Sequence, residues 1–350
     1  MMKFTQLKAV GAIAGACAAL FAAGSAQAYT YAVSKLDIKD LNVSSVVAGT
    51  NIDVSAATNY SFTLTNTAGY SDQASNSYSA IGSKGCKGNA SDNTTNCGKG
   101  GVVLDANVAN VVAPGLTSAR AENDFAQLGS NGTQSFSNAD SQISTAKLVD
   151  PTKLTNSQQI AESLLNINGQ AFANTEVKST TTLVTNLFFS GLTDLNISFE
   201  ALLKMTGAIS ELPGGLYTSQ ANSNVLVSLT KKGSTGNWTW TPDGDNTTGC
   251  TGSGFGFGST CVENADTWNL GGGNQIGGNT ESFDLSSGGF KNFGVSIKNL
   301  VGGEYTLNLT STTSSYVDRQ YVPEPGSLAL VGLALAGLGL AGKRRARNSK

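Results

Sequence analysis

The sequence contains no histidine. That absence excludes Ser-His-Asp and Cys-His catalysis, histidine metal centres and the usual proton shuttle near neutral pH. Any enzyme here would be confined to carboxylate, lysine or tyrosine chemistry. No glycine run follows a strand as G-x-G-x-x-G, and there is no phosphate-loop lysine, so no motif supports nucleotide binding. Nothing in the sequence sets two carboxylates across a cleft, as glycoside hydrolysis requires. Charged residues are scarce at 13%, and there is no basic patch to displace counterions from nucleic acid. The chain reads as a non-enzyme that needs no cofactor and binds no nucleic acid.

What charge there is divides unevenly. All 24 acidic residues lie between Asp37 and Glu324, whereas two of the 22 basic residues precede Val10 and five follow Gly342. The intervening body keeps 15 basic against 24 acidic residues, a net charge of −9. Such a balance keeps copies apart in solution. The rest of the composition is rich in Gly, Asn, Ser and Thr, side chains that satisfy turns locally, as in secreted β-proteins.

The first residues have the three parts of an export signal. Lys3 and Lys8 form a basic start, Val10 to Ala23 an apolar stretch, and Ala26-Gln27-Ala28 a small-x-small cleavage site. Residues 1–28 are therefore expected to be removed, with cleavage before Tyr29. Lipidation at Cys17 is not expected, because Ala14 stands where a lipobox has Leu and the apolar run continues past the cysteine.

Beyond that signal the cysteines are Cys86, Cys97, Cys250 and Cys261, in two pairs that each enclose ten residues. An exported chain meets an oxidising compartment where disulfides persist. The expected connectivity is local, Cys86–Cys97 and Cys250–Cys261, each bridge stapling one polar loop. Cross-pairing between the two halves is the alternative, and zinc a weaker one, since the spacing does not suit its usual ligand pairs.

The body, residues 29–321, reads as all-β: an antiparallel sandwich, jelly-roll-like, with one short amphipathic helix. Tyr60, Phe62 and Leu64 alternate with Ser61 and Thr63 at strand period. Further strands are expected at 101–112, 180–189, 195–203, 224–231 and 237–241, the third with a helix from Phe199 as its alternative. Residues 153–172 fit the helix, with Thr155 and Gln158 at capping-box spacing and Ile160, Ala161, Leu164 and Leu165 at helical spacing. Residues 294–312 suggest a hairpin with a Val301-Gly302-Gly303 loop, which sets Ile297 opposite Leu307. The polar segment 115–145 and the Gly-rich segment 242–280 read as loops.

Two clusters are candidates for ligand chemistry. Asp243 and Asp245 have the i, i+2 spacing of a calcium loop, but no Glu stands at the twelfth position, so a polar turn is the simpler reading and no metal is expected. Trp238 and Trp240 share one face of a strand, suited either to a core or to stacking on sugars. Asn93 and Asn246 begin glycosylation tripeptides, common by chance in a chain this rich in Asn and Thr.

The C-terminal segment, 322–350, has three parts: Val322-Pro323-Glu324-Pro325, the apolar run LALVGLALAGLGLAG, and a basic end with Lys343, Arg344, Arg345 and Arg347. The uncharged stretch is at the short end of what spans a bilayer as one transmembrane helix, and the basic end holds its orientation. This order resembles the PEP-CTERM sorting domain. The resemblance implies that an exosortase-type transpeptidase recognises Pro323-Glu324-Pro325 while the chain is transiently held in the inner membrane. It implies removal of the tail and delivery to the cell surface or extracellular matrix, in a setting of exopolysaccharide and biofilm. The expected function is structural or adhesive. A carbohydrate-binding module is the alternative, and a polysaccharide-active enzyme is the weakest reading.

Overall fold

A computed structural model describes residues 29–47, 50–52, 57–72, 76–89, 102–111, 120–130, 135–145, 155–185, 193–210, 215–247, 249–253, 259–266, 268–277, 282–284, 289–321, 332–335 and 337. The strands run in chain order as β1 (Tyr29–Val47), β2 (Thr50–Ile52), β3 (Ala57–Ser71), β4 (Ser77–Asn89), β5 (Val102–Asn110), β6 (Phe136–Thr145), β7 (Thr155–Leu165), β8 (Gly169–Thr185) and β9 (Thr193–Ser210). They continue as β10 (Gly215–Lys231), β11 (Asn237–Trp240), β12 (Cys250–Ser253), β13 (Thr260–Asp266), β14 (Gly273–Gly277), β15 (Ser282–Asp284), β16 (Lys291–Leu300) and β17 (Gly303–Tyr321). They form two antiparallel sheets, β13-β16-β9-β1-β7-β6-β5 and β12-β11-β10-β17-β8-β3-β4, with β2, β15 and β14 added beside β1, β9 and β10.

The sheets stack face to face, with β1 and β7 of the first against β17 of the second. The largest core cluster fills one end of this sandwich with Leu36, Phe62, Ile197, Leu203, Leu229, Trp240, Phe293 and Leu307. Towards the other end the interior turns to small polar side chains. Gln159 Nε2 donates to Ser311 Oγ, Ser163 and Ser315 hydroxyls meet at 2.9 Å, and Ser141 Oγ donates to Asn66 Oδ1 at 2.6 Å. These side chains on facing strands satisfy one another, which offsets the cost of burying them.

Three expectations change. Residues 155–165 form a strand, β7, and the helix does not exist. β7 is covered on both faces: Ala161 and Leu165 face the sandwich interior, while Ile160 and Leu164 pack outward with Tyr31, Val33, Phe125 and Phe136. Two-sided burial removes the alternation that marks a half-buried strand, and the resulting apolar run mimics helical spacing. Phe199 likewise lies in a strand, β9.

The hairpin is also replaced. β16 lies between β13 and β9 in one sheet, and β17 lies between β10 and β8 in the other. Ile297 therefore pairs with Cys261 and Leu195, and Leu307 pairs with Leu229 and Thr181. Both side chains still enter the same core, from opposite sheets. The corner is prepared by a register shift between Ile297 and Leu300, with Asn299 left-handed at φ 59 and its amide bonded to Asp194 Oδ1 at 2.9 Å.

Finally, the segments read as loops contain strands. Polar 136–145 is β6, buried along most of its length, and the Gly-rich region holds β12, β13 and β14. Residues 1–28, the whole sorting tripeptide and the basic end lie outside the described residues. Of the apolar run, 332–335 and 337 are helical. Among the described residues no helix is long and apolar enough to cross a membrane.

Candidate functional site

The sandwich has one pole where several strand ends meet. Tyr29 opens β1 opposite Ser210, and Tyr321 closes β17 opposite Gly215. Gly169 opens β8 opposite Arg319, and Ser71 closes β3 opposite Gln170. On the second sheet, residues at the ends of β3, β4, β8 and β17 line a cleft of about 340 Å³: Ser71, Asp72, Ser77, Gly169, Gln170, Asp318 and Gln320.

Asp318 is the centre of this cleft. Its Oδ2 accepts from Gln170 Nε2 at 3.1 Å and from Gln320 Nε2 at 3.4 Å. Its Oδ1 is buried without a hydrogen-bond partner. Burial pushes the Tyr316 phenol upward, and the charge of nearby Asp318 adds to the shift. Asp72 closes the turn after β3, taking the Asn76 amide at 2.9 Å and Asn76 Nδ2 at 2.8 Å. Gly169 sits at φ +147, and a methyl group there would strike Ser71 O and the Tyr70 ring, each at 2.7 Å. Glycine thus lets β8 start against β3 and leaves the cleft open.

Phe172 is one outward position beyond Gln170. It is 45% exposed, its ring lies directly over Gly69 of β3, and it is the cross-strand neighbour of Tyr316. No sequence pattern singles out Phe172, because the glycine beneath it comes from a strand a hundred positions earlier.

The tryptophans anticipated as a stacking platform are elsewhere. Trp238 and Trp240 are 8% and 2% exposed, both turned inward from β11. Trp240 packs on Phe199 with ring centroids 5.8 Å apart and donates Nε1–H to Glu263 Oε1 at 2.8 Å. Their shared face is the core face, so they cannot stack on a ligand. Burial raises the Glu263 carboxyl, and Asp266 and Asp243 push the same way against the indole hydrogen bond.

The Asp243–Asp245 stretch is a polar turn. Asp243 Oδ1 accepts the Asp245 amide at 3.1 Å, and Asp245 Oδ1 accepts the Thr247 amide at 2.8 Å and its hydroxyl at 2.6 Å. Among the described residues no group of three potential metal ligands occurs. Cys250 and Cys261 are joined to each other, which excludes a bridge from Cys86 to either. The bond links edge strand β12 of one sheet to edge strand β13 of the other. Cys86 is also disulfide-bonded, and Cys97 lies outside the described residues.

A second polar centre escaped the sequence reading. Glu162, at 0% exposure on the outer face of β7, accepts from Tyr31 Oη at 2.5 Å and from the Leu128 and Gly129 amides at 3.0 Å each. It also pairs with Arg120. Arg120 Nη1 donates in turn to Asp124 O and to Ala126 O. Successive amides at Leu128 and left-handed Gly129 (φ 80) wrap the carboxylate. This centre fastens segment 120–130 over the sheet and buries Phe125. A lone carboxylate in the apolar stretch QQIAESLL is the signal that would have found it.

Against this geometry, the comparison that identifies anything concerns the tail. Residues 322–345 match the PEP-CTERM protein-sorting motif. No curated protein and no solved structure matches the chain. The sorting motif marks an exported protein that is held at the membrane and processed in an exosortase-dependent way. It begins immediately after Tyr321, the last residue of β17.

Proposed function

We propose that the β-sandwich is delivered by this route to the cell surface or extracellular matrix, where it acts as a structural or adhesive component of an exopolysaccharide biofilm. Pro323-Glu324-Pro325 is the segment the exosortase-type transpeptidase recognises, and the apolar run with Lys343, Arg344, Arg345 and Arg347 holds the chain in the inner membrane until then. The observation that carries the reading is the junction between sorting motif and fold. The motif starts one residue after β17 ends, so cutting there removes no strand. The body's net charge of −9 and its uncharged Ser, Thr and Asn surface suit a protein displayed in quantity.

Mass spectrometry of the surface-exposed protein tests the sorting step. The expected mature chain ends near Pro325 and lacks the basic end. Retention of Lys343 to Arg347 on most surface copies would overturn it. Deleting the gene tests the role, with a measurable fall in matrix mass expected and an unchanged matrix counting against it.

A further inference from the structure

We propose that the polar cleft and the adjoining Phe172 ring form a binding site for a neutral glycan chain. A pyranose offers an apolar C–H face on one side and hydroxyls around its rim. The site offers the complement. Phe172 presents a ring held over Gly69. An aromatic ring lying over a cross-strand glycine is a fixed platform, held at little entropic cost. Two residues along the same strand, about 7 Å away, Gln170 begins the polar part. Asp318 there has one oxygen bridging two glutamine amides and a second with no partner. A sugar hydroxyl entering between the glutamines can donate to that unsatisfied oxygen while accepting from an amide. Satisfying a buried orphan acceptor is worth more than adding a bond at an exposed site.

Charge narrows the ligand. The cleft lining includes Asp72 and Asp318 and no Lys or Arg, so a uronic acid or a phosphorylated glycan meets repulsion. The volume lies within the small-molecule range of about 300–1,000 Å³, and its lining residue Gln170 is two positions from Phe172 on the same strand. One sugar therefore occupies the cleft while its neighbour in the chain covers the ring. The assignment deepens the adhesive reading above. It does not depend on sorting, because a chain that binds no glycan can still lose its tail.

The test is calorimetric titration of the full chain with neutral hexasaccharides of glucose, galactose, mannose and N-acetylglucosamine, and with an oligogalacturonate as the anionic probe. At least one neutral oligomer is expected to bind and the oligogalacturonate is not. Phe172→Ala and Asp318→Asn should each weaken binding by about tenfold or more. Ile81→Ala, which truncates an exposed apolar residue of β4 away from the cleft, should leave it unchanged. Melting curves check that each variant is folded, and Asp318→Asn stands in should Phe172→Ala unfold. Failure of every neutral oligomer, preference for the anionic one, or affinity indifferent to both substitutions overturns the site.

Discussion

Replacing Glu162 with Gln keeps the shape of the side chain and removes one charge. Oε1 can still receive Tyr31, Leu128 and Gly129. The atom at Oε2 becomes an NH2 group facing the Arg120 guanidinium, so donor meets donor. Removing one partner of a buried ion pair costs about 3–5 kcal/mol. Arg120 keeps its two carbonyl partners in 120–130, which places Glu162→Gln at the lower end, about 3 kcal/mol. Glu162→Ala also orphans the Tyr31 hydroxyl and two amides, each worth about 1–3 kcal/mol when buried. That sum approaches the whole stability of an ordinary domain, about 5–15 kcal/mol. Urea unfolding measures the loss, and amide exchange locates it. Residues 120–130 should exchange faster in Glu162→Gln, while the strands of the opposite sheet should not. A variant within about 1 kcal/mol of the parent, or one whose 120–130 amides exchange at the parental rate, would falsify the view that Glu162 fastens this segment.

Two further perturbations follow from the fold. Replacing both Cys250 and Cys261 by Ser opens a bridge of sequence separation 11, for which chain entropy gives about 3 kcal/mol and hence roughly 5 °C in melting temperature for a body of this size. Scanning calorimetry without reductant checks this while leaving the Cys86 bridge intact, and a shift below about 1 °C would show the β12–β13 edge to be held by packing alone. Burial raises Asp140 to about 6 from 3.8, with Glu122 adding and the Asn123 amide opposing. The folded chain therefore holds this proton more tightly than the unfolded one, so stability is lost as pH rises from about 4 through 6. The loss is at most about 3 kcal/mol, and Asp37, Glu263 and Asp266 shift in the same direction. Urea midpoints between pH 4 and 7 should fall less in Asp140→Asn than in the parent, and parallel curves would refute Asp140 as a contributor.

Strands with one wet face were legible in the sequence, since alternation reports one-sided burial. Phe62 and Leu64 in β3 and the two indoles in β11 all turn inward as their period requires. β7 was not legible because segment 120–130 covers its second face, and no local pattern announces a cover supplied from outside the strand. β6 was hidden by its Ser, Asn and Asp, whose burial depends on partners such as Asn66 and the Phe172 carbonyl. The 294–312 hairpin failed for a different reason. Apolar positions at period 2 satisfy two arms of one ribbon and two strands facing each other across a core equally well. The tryptophans show the same ambiguity, since a shared strand face does not say which side is wet. The cleft was invisible because its lining comes from four strands, β3, β4, β8 and β17, and the turn after β3.

The position of Tyr321 has a mechanical consequence. While the tail is retained, tension from the membrane enters the body at the end of β17. That strand is paired over its length with β10 on one side and β8 on the other. The ladder hydrogen bonds run perpendicular to the strands, so a pull along β17 loads them in shear, many at once, and does not peel them one by one. A tether at an edge strand would unzip. This one hangs the sandwich from a central strand, an attachment that resists a pull from the tail.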